Sequence, residues 1–389
     1  MIGQHDKNYF AEKGATATAR EIAAQGESWQ EIPALLERDA QAVREIGEVL
    51  NDSTASVLFS GAGTSAYVGE IVAPTVTPLV KARAYASAST DIVSDPAACV
   101  SKGAHGLLFA FARSGNSPES VDSVEKIAAV APDVRPVGVT CNENGKLAKD
   151  DRVISLLMPP ATHDESFVMT SSFSTMTLYT ASLCRKATGQ ALPDFEVAAK
   201  ESARICEDGY NTDVYDRMAN AKRLVFLGSN AMFGAARESA LKILEMTAGV
   251  IPTMAETSLG FRHGPKSLVN NETVIVVLVS NNSYTQQFDA DIIRELAKDG
   301  QAARVVAIAS AAFFERYPEF GEHDMVDCLA YGVALDSAPD DVLAVLGVQH
   351  VQLLGLRLSI GLDISPDNPC PSGEVNRVVQ GVTLYPYGQ

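Results

Sequence analysis

An α/β fold of two domains, each a parallel β-sheet flanked by helices in three layers, is what this sequence predicts. Three observations carry the prediction. Short, apolar, β-rich runs alternate with helix-length segments, the rhythm of βαβ units whose strands are buried on both faces. That rhythm occurs twice, in the same order. The chain is also 389 residues long, beyond the roughly 250–300 residues at which single cores stop growing.

Taken in order, residues 16–50, from TATAREIAAQ to AQAVREIGEVL, read as helical and mixed in polarity. The first copy follows, with VLFSGAGTSAYVGEI at 57–71, GLLFAFARSGNSPES at 106–120 and VRPVGVTCN at 134–142. The second copy answers with RLVFLGSNAMFGAARE at 223–238, VIVVLVSNNSYTQQ at 274–287 and RVVAIASA at 304–311. Gly61 corresponds to Gly228, Asn116 to Asn282 and Thr140 to Ala309, so register is kept across three elements, as in a duplicated unit. The polar stretch EDGYNTDVYDR marks a junction near 200–220. An apolar helix is expected over 342–362, and a tail of turn residues, SPDNPCPSGEVNRVVQGVTLYP, over 365–386. The expected organisation is a helical segment at 1–45, sheet domains at 46–205 and 215–364, and a tail at 365–389.

Lysine and arginine total 31 against 48 acidic residues, a formal charge of −17. Such a surface repels phosphate backbones and anionic lipid, so neither nucleic acid nor membrane is an expected partner. A phosphorylated small molecule stays compatible, because helix N-termini hold phosphate without net positive charge. The six cysteines are widely spaced with no CxxC pair, which argues against a zinc ribbon or a disulfide framework. MIGQHDKNYFAEKG has no apolar signal region, and the longest apolar stretches are short or broken by polar groups. A cytoplasmic protein is expected.

The two copies differ where chemistry would sit. In RSGNSPES, Ser117 suits an N-cap and Pro118 a first helical residue, so a helix should begin there. Ser114, Ser117 and free backbone amides would then converge on a positive helix end, which suits a phosphate. SGAGTS adds Thr64 and Ser65 at another strand-to-helix switch. Ligands of open α/β sheets bind beyond the strands' carboxyl ends, so both loops can face one pocket. A capping serine alone is ordinary; two serine-rich turns at matching positions carry the reading. SNNSYT and GSNAMF offer fewer hydroxyls and no such proline, so one phosphate site per chain is expected, in the first half.

In the second half, AARESALKILEMTAG at 235–249 predicts a helix stopped by Gly249. Glu238, Lys242 and Glu245 fall along one face of it. Read in isolation they are a solvated charge ladder; beside a sugar pocket, a carboxylate there suits proton transfer. IPTMAETSLG then brings Glu256, and FRHGPKS brings His263, which taken alone is a structural turn histidine.

Together these motifs resemble tandem sugar-isomerase (SIS) domain proteins. GAGTS and RSGNSPES resemble the sugar-phosphate loops of a first SIS domain. ESALKILE followed by FRHGP resembles the catalytic stretch in the isomerase half of glucosamine-6-phosphate synthase. TAREI with Trp29 after it, FARSGNSPESV, ALKILEMTAG, LGFRHGPKS and DNPCPSGEVNRVVQGVTLYP follow, over nearly the whole chain, the order of the galactosamine-6-phosphate deaminase/isomerase (AgaS-type) family, also described as tagatose-6-phosphate ketose/aldose isomerases.

The resemblance implies that Thr64, Ser65, Ser114 and Ser117 hold the sugar phosphate and nearby hydroxyls, with Arg113 standing where the synthase has an amide. It implies that Val168 and Thr170, in ESFVMTSSFS, line the sugar. Glu245 would move the proton between C1 and C2, with Lys242 and Glu238 as its helix-face partners. His263 would be the ring-opening histidine, which in the synthase comes from the neighbouring subunit. The implied reaction takes D-galactosamine 6-phosphate and water to D-tagatose 6-phosphate and ammonia, in a homodimer or larger homo-oligomer, with no metal or cofactor. Two departures from the synthase matter. No glutaminase domain precedes the first helices, so delivery of ammonia from glutamine is not expected. Gln380 stands where the synthase has a Schiff-base lysine, which favours release of free ammonia. Three other readings stay open: an aldose–ketose isomerase of a neutral sugar phosphate, a glucosamine-6-phosphate or fructosamine-phosphate deaminase or deglycase, and a sugar-phosphate sensor.

Overall fold

The computed structural model describes residues 2–379 and 381–388. Helices α1 (Lys7–Glu12), α2 (Thr16–Gln30), α3 (Ile32–Arg38) and α4 (Ala40–Leu50) come first. The run expected as helical at 16–50 is thus three helices. Pro33 lacks an amide donor and is tolerated only in a first turn, so a new helix starts around it, and Asp39 separates α3 from α4.

The first sheet takes β1 (Ser56–Ser60), β2 (Arg83–Ala86), β3 (His105–Ala112), β4 (Asp133–Thr140) and β5 (Ile154–Leu157). Between and after these strands lie α5 (Thr64–Val76), α6 (Ser89–Ser94), α7 (Pro96–Cys99), α8 (Pro118–Val130) and α9 (Ser171–Ala187). Helices α10 (Phe195–Asp208) and α11 (Asp213–Ala219) lead into the second sheet. Its strands are β6 (Arg223–Gly228), β7 (Thr253–Glu256), β8 (Thr273–Leu278), β9 (Arg304–Ala309) and β10 (Val326–Ala330). They alternate with α12 (Ala231–Met246), α13 (Thr285–Asp299), α14 (Ala311–Arg316) and α15 (Glu319–Glu322), and α16 (Asp340–Gly361) follows.

Every strand pair is parallel, in the orders β2-β1-β3-β4-β5 and β7-β6-β8-β9-β10. Read by order of occurrence, the two sheets are the same. The likeness extends to single residues. A Cβ on Gly61 would come 2.5 Å from the carbonyl carbon of Ser65, and one on Gly228 would come 2.3 Å from the carbonyl oxygen of Met232. Both glycines therefore sit where the first helical turn folds back on the strand end. The helices that follow are capped by Gly63 (φ 55°, ψ −128°) and Asn230 (φ 54°, ψ −119°), the same unusual backbone conformation.

The chain forms two compact units that interleave along the sequence. The unit of the first sheet comprises 27–164, 171–192 and the chain after 371; that of the second comprises 1–26, 165–170 and 193–371. Chain order and compact unit therefore part company at the N-terminal helices, at 165–170 and within the tail.

In the first-sheet unit, Leu58, Leu108, Ala110 and Ala112 face Ile92 of α6 and Val124 and Ile127 of α8. The opposite face stacks Phe59 on Phe109, 5.0 Å between ring centroids, and is covered by α5. In the second-sheet unit, Val225, Leu227, Ile275, Val277 and Val305 face Ile292, Ile293 and Leu296 of α13. The helix expected at 342–362 is α16. It is the one helix among the described residues long and apolar enough to cross a membrane, yet 89% of its most apolar window is buried inside the protein. It packs along α12, the position of a core helix.

Candidate functional site

In the first sheet, β1 feeds α5 on one face while its neighbour β3 feeds α8 on the other. That makes the β1/β3 carboxyl ends a topological switch point, where open sheets leave a crevice. Both serine-rich loops lie there. Thr64 and Ser65 form the first turn of α5 and are buried. In the other loop Gly115 adopts φ 63°, and Ser117 and Pro118 are the N-cap and first residue of α8, as expected. Ser117 nonetheless makes no side-chain capping bond. The turn is fixed instead by its neighbours: Asn116 N–H donates to Ser114 Oγ (3.2 Å), Lys146 N–H to Asn116 Oδ1 (3.1 Å) and Asn142 Nδ2 to the Ser114 carbonyl (2.8 Å).

Arg113, at the end of this strand, is buried, and its Nη2 donates to the carbonyl of Arg377 at 3.2 Å. Arg377 in turn donates to the carbonyl of Asp164. The tail therefore brings a second guanidinium beside Arg113. Burial, with the charges of Arg377 and Arg113, holds His163 below its ordinary value. In a chain of net −17 this is a local concentration of positive charge, suited to an anion.

The matching switch point of the second sheet is filled by the chain itself. Asp289, fully buried on the apolar stripe of α13, accepts from Ser229 Oγ (3.0 Å), Ser258 Oγ (2.5 Å) and Ser280 N–H (3.2 Å). Asp340, opening α16, accepts from Ser280 Oγ (2.6 Å) and Asn281 N–H (2.8 Å). Burial raises the pKa of both carboxyls. Donors at the carboxyl ends of β6, β7 and β8, which would otherwise meet a phosphate, are spent on internal carboxylates.

Helix α12 carries the expected charged face, and it is not a solvated ladder. Glu238 and Lys242 are fully buried, and only Glu245 reaches solvent, with 23% of its side chain exposed. Lys242 Nζ lies 3.4 Å from Glu238 Oε1 and makes a direct ion pair with Glu245. Two carboxylates share one buried cation, and the outer carboxylate is the accessible one. Gly249, at φ 75°, ends the segment as expected, its N–H donating to the Leu244 carbonyl at 2.9 Å.

The FRHGPKS loop belongs to the same unit. Phe261 is fully buried and His263 is exposed. Upstream, Glu256 Oε1 accepts from Thr257 N–H (2.7 Å), and Thr257 Oγ1 accepts from Gly260 N–H (3.0 Å). Glu256 thus shapes the approach to His263. Glu295 of α13 holds Arg262 Nε at 2.6 Å and also pairs with Lys266. Those two hydrogen bonds, from Lys266 and then Arg262, pull the Glu295 carboxyl below its ordinary range.

Val168 and Thr170 are buried in the loop before α9. That loop is held by Glu21, a buried residue of the TAREI motif that accepts from Glu165 N–H (2.6 Å) and Ser166 Oγ (2.6 Å). The N-terminus of α2 is capped by Asp367 of the tail motif, which accepts from Ala17 N–H (3.0 Å), Thr18 N–H (2.8 Å) and Thr18 Oγ1 (2.7 Å).

Thr64, Ser65, Arg113, Ser114 and Ser117 are therefore brought to one sheet end, and Glu238, Lys242 and Glu245 to one helix face. Glu21, Asp367, Asp289 and Glu295 were not singled out from sequence, and Arg377 stood out there only as part of the tail motif. Glu21 lies in TAREI and Asp367 and Arg377 lie in the tail motif, while the signal available for Asp289 was an acid on an apolar helix stripe. Gln380 lies outside the described residues. Among the described residues no three His, Cys, Asp or Glu side chains gather as a metal site would require.

The model of the SIS domain matches residues 49–184 and 217–313. A protein of Escherichia coli O157:H7 named D-galactosamine-6-phosphate deaminase AgaS is 37% identical over 98% of this chain and 99% of its own. A Shewanella protein (strain ANA-3) of the same name is 35% identical over 96% and 93%. Among solved structures, the tagatose-6-phosphate ketose/aldose isomerase of Escherichia coli superposes with a TM-score of 0.84 at 31% identity, covering 100% of both chains.

Proposed function

Because this chain belongs to the SIS domain family, and within it to the group of the AgaS deaminases, we propose that it converts D-galactosamine 6-phosphate and water to D-tagatose 6-phosphate and ammonia. The observation that carries the reading is the buried Glu238–Lys242–Glu245 array, which presents one carboxylate to solvent on a helix of the second sheet. A chain that only sensed sugar phosphate would have no use for such an array.

The 6-phosphate is taken by the hydroxyls of Thr64, Ser65, Ser114 and Ser117 and by backbone amides at the start of α8, with Arg113 adding charge. Val168 and Thr170 line the sugar. His263 moves a proton between the C1 hydroxyl and the ring oxygen, opening the ring to the C1 aldehyde. Glu245 removes the C2 proton, leaving an enediol-like anion bearing the C2 amine, and returns a proton to C1. Lys242 holds the Glu245 carboxylate in place and offsets negative charge as it develops. The resulting C2 ketimine adds water, the C2–N bond breaks, and ammonia leaves as the C2 carbonyl forms. His263 is exposed, which suits service in the site of a second copy, and the working species is a homodimer or larger homo-oligomer in the cytoplasm. The repeat expected over 46–205 and 215–364 is carried by the two sheets, β1–β5 and β6–β10.

Glu245→Gln abolishes ammonia release from galactosamine 6-phosphate while leaving binding of a sugar-phosphate product intact; near-normal turnover in that variant removes Glu245 from the base role. A second reading has support in the name of the Escherichia coli structure: the same proton shift on a neutral sugar phosphate. Assaying galactosamine 6-phosphate beside glucosamine 6-phosphate and tagatose 6-phosphate separates the two, since only the first reading releases ammonia.

A further inference from the structure

His263 stands on an exposed turn, yet the turn around it is tied down on three sides. Phe261, two residues before, is sunk in the core of the second-sheet unit among Ile292, Ile293 and Leu296 of α13. Arg262, directly before it, donates from Nε to one carboxylate oxygen of Glu295 at 2.6 Å. Lys266, three residues after it, pairs with the other oxygen of the same carboxylate, and with Asp299 at 2.5 Å. Arg262, Glu295 and Lys266 are each sheltered, with 25%, 33% and 27% of their side chains exposed. The His263 N–H closes the turn on the Gly260 carbonyl at 2.9 Å, and Gly264 follows at φ 122°.

One carboxylate thus bridges the residues on both sides of the histidine. A connected network of four charges can add some stability, but both cations of this one flank the histidine, which a purely structural role does not require. Their effect is geometric: with both flanks fixed to α13, the path of the backbone through His263 is set while the residue itself stays exposed. Glu295 and Asp299 also cancel the charges of Arg262 and Lys266, which would otherwise stand unopposed next to an imidazole that must gain and lose a proton.

We propose that Glu295 is a positioning residue for the reaction: by clamping Arg262 and Lys266 it holds His263 in the pose from which it transfers a proton. The inference rests on the role given to His263 above, and a double-mutant cycle separates the two. Ammonia release from galactosamine 6-phosphate is measured for the wild type, Glu295→Gln, His263→Gln and the double variant. In the otherwise intact enzyme, Glu295→Gln lowers kcat about tenfold, a tenth of what proton-transfer groups typically contribute at their weaker end, with KM within about twofold. In the His263→Gln background the same change has less than about a twofold effect, because nothing remains to position. Glu295→Asp keeps the charge but is one methylene too short to reach both cations, and recovers less than half of the lost kcat. A full effect of Glu295→Gln in the His263→Gln background, or an unchanged kcat in Glu295→Gln while His263→Gln is slow, overturns the clamp and spares the role of His263. A wild-type rate in His263→Gln overturns both. If Glu295→Gln does not fold, Lys266→Met, which opens one arm of the clamp, is taken through the same cycle and read by the same criteria.

Discussion

Lys242 is fully buried, with Glu238 3.4 Å from its ammonium on one side and Glu245 paired to it on the other. Removing one member of a buried ionic group leaves its partners desolvated with charge uncompensated, at a cost of about 3–5 kcal/mol. Lys242→Met is therefore expected to lower the free energy of unfolding by about 3 kcal/mol, read by urea denaturation. It should also cut kcat for ammonia release by about 100-fold with little change in KM, since Glu245 loses the group that holds it. A variant of wild-type stability and activity would return the array to the status of a surface ladder. The spacing of these three residues was legible, because 3.6 residues per turn puts them on one face. Their burial was not. A helix face is covered or bare according to what packs on it, and here that includes α16, more than ninety residues further along the chain.

At the scale of the element, the two strand-to-helix turns are built alike but are not equally comfortable. Gly63 and Asn230 hold the same positive-φ conformation ahead of α5 and α12. Glycine adopts it freely, whereas a residue with a Cβ is strained there by about 1–3 kcal/mol. Asn230→Gly is expected to raise the free energy of unfolding by about 1 kcal/mol, the relief of strain being partly offset by the freer unfolded chain. A loss of stability in urea denaturation would show that the asparagine side chain contributes more than its backbone costs. The loops' positions followed from the sequence, since apolar runs ending in Gly-Ser-Asn turns mark where strands stop. That the first pair, and not the second, would take the phosphate was also expected; what fills the second pair was not. Asp289 reaches Ser229, Ser258 and Ser280 from α13, a closure that depends on three strand ends meeting one helix. The tail shows the same limit: its motif was evident, but Asp367 capping α2 and Arg377 beside Arg113 are long-range contacts.

Across the molecule, the core of the second-sheet unit includes a histidine that must stay neutral. His350 of α16 is buried, with Tyr215 Oη 2.8 Å from its Nδ1, and burial lowers its pKa from 6.5 to about 3. A group that resists protonation only when folded loses stability as pH falls. Between about 6.5 and about 3 the unfolded chain takes a proton that native His350 refuses, at up to ~1.4 kcal/mol per pH unit. Comparing His350→Gln with the wild type cancels the other titrating groups. The wild type should lose stability faster over that window; parallel curves would mean that His350 protonates without unfolding. The sequence by itself determined the two parallel sheets, their repeat, the helix carrying Glu245 and the family, because hydrophobic period, turn chemistry and motif spacing are local properties of the chain. Only the tertiary structure decided which charges are buried, what fills the second of two similar cradles, and what anchors the turn bearing His263. Each of those depends on residues distant in sequence meeting at one point, where desolvation sets the value of a charge.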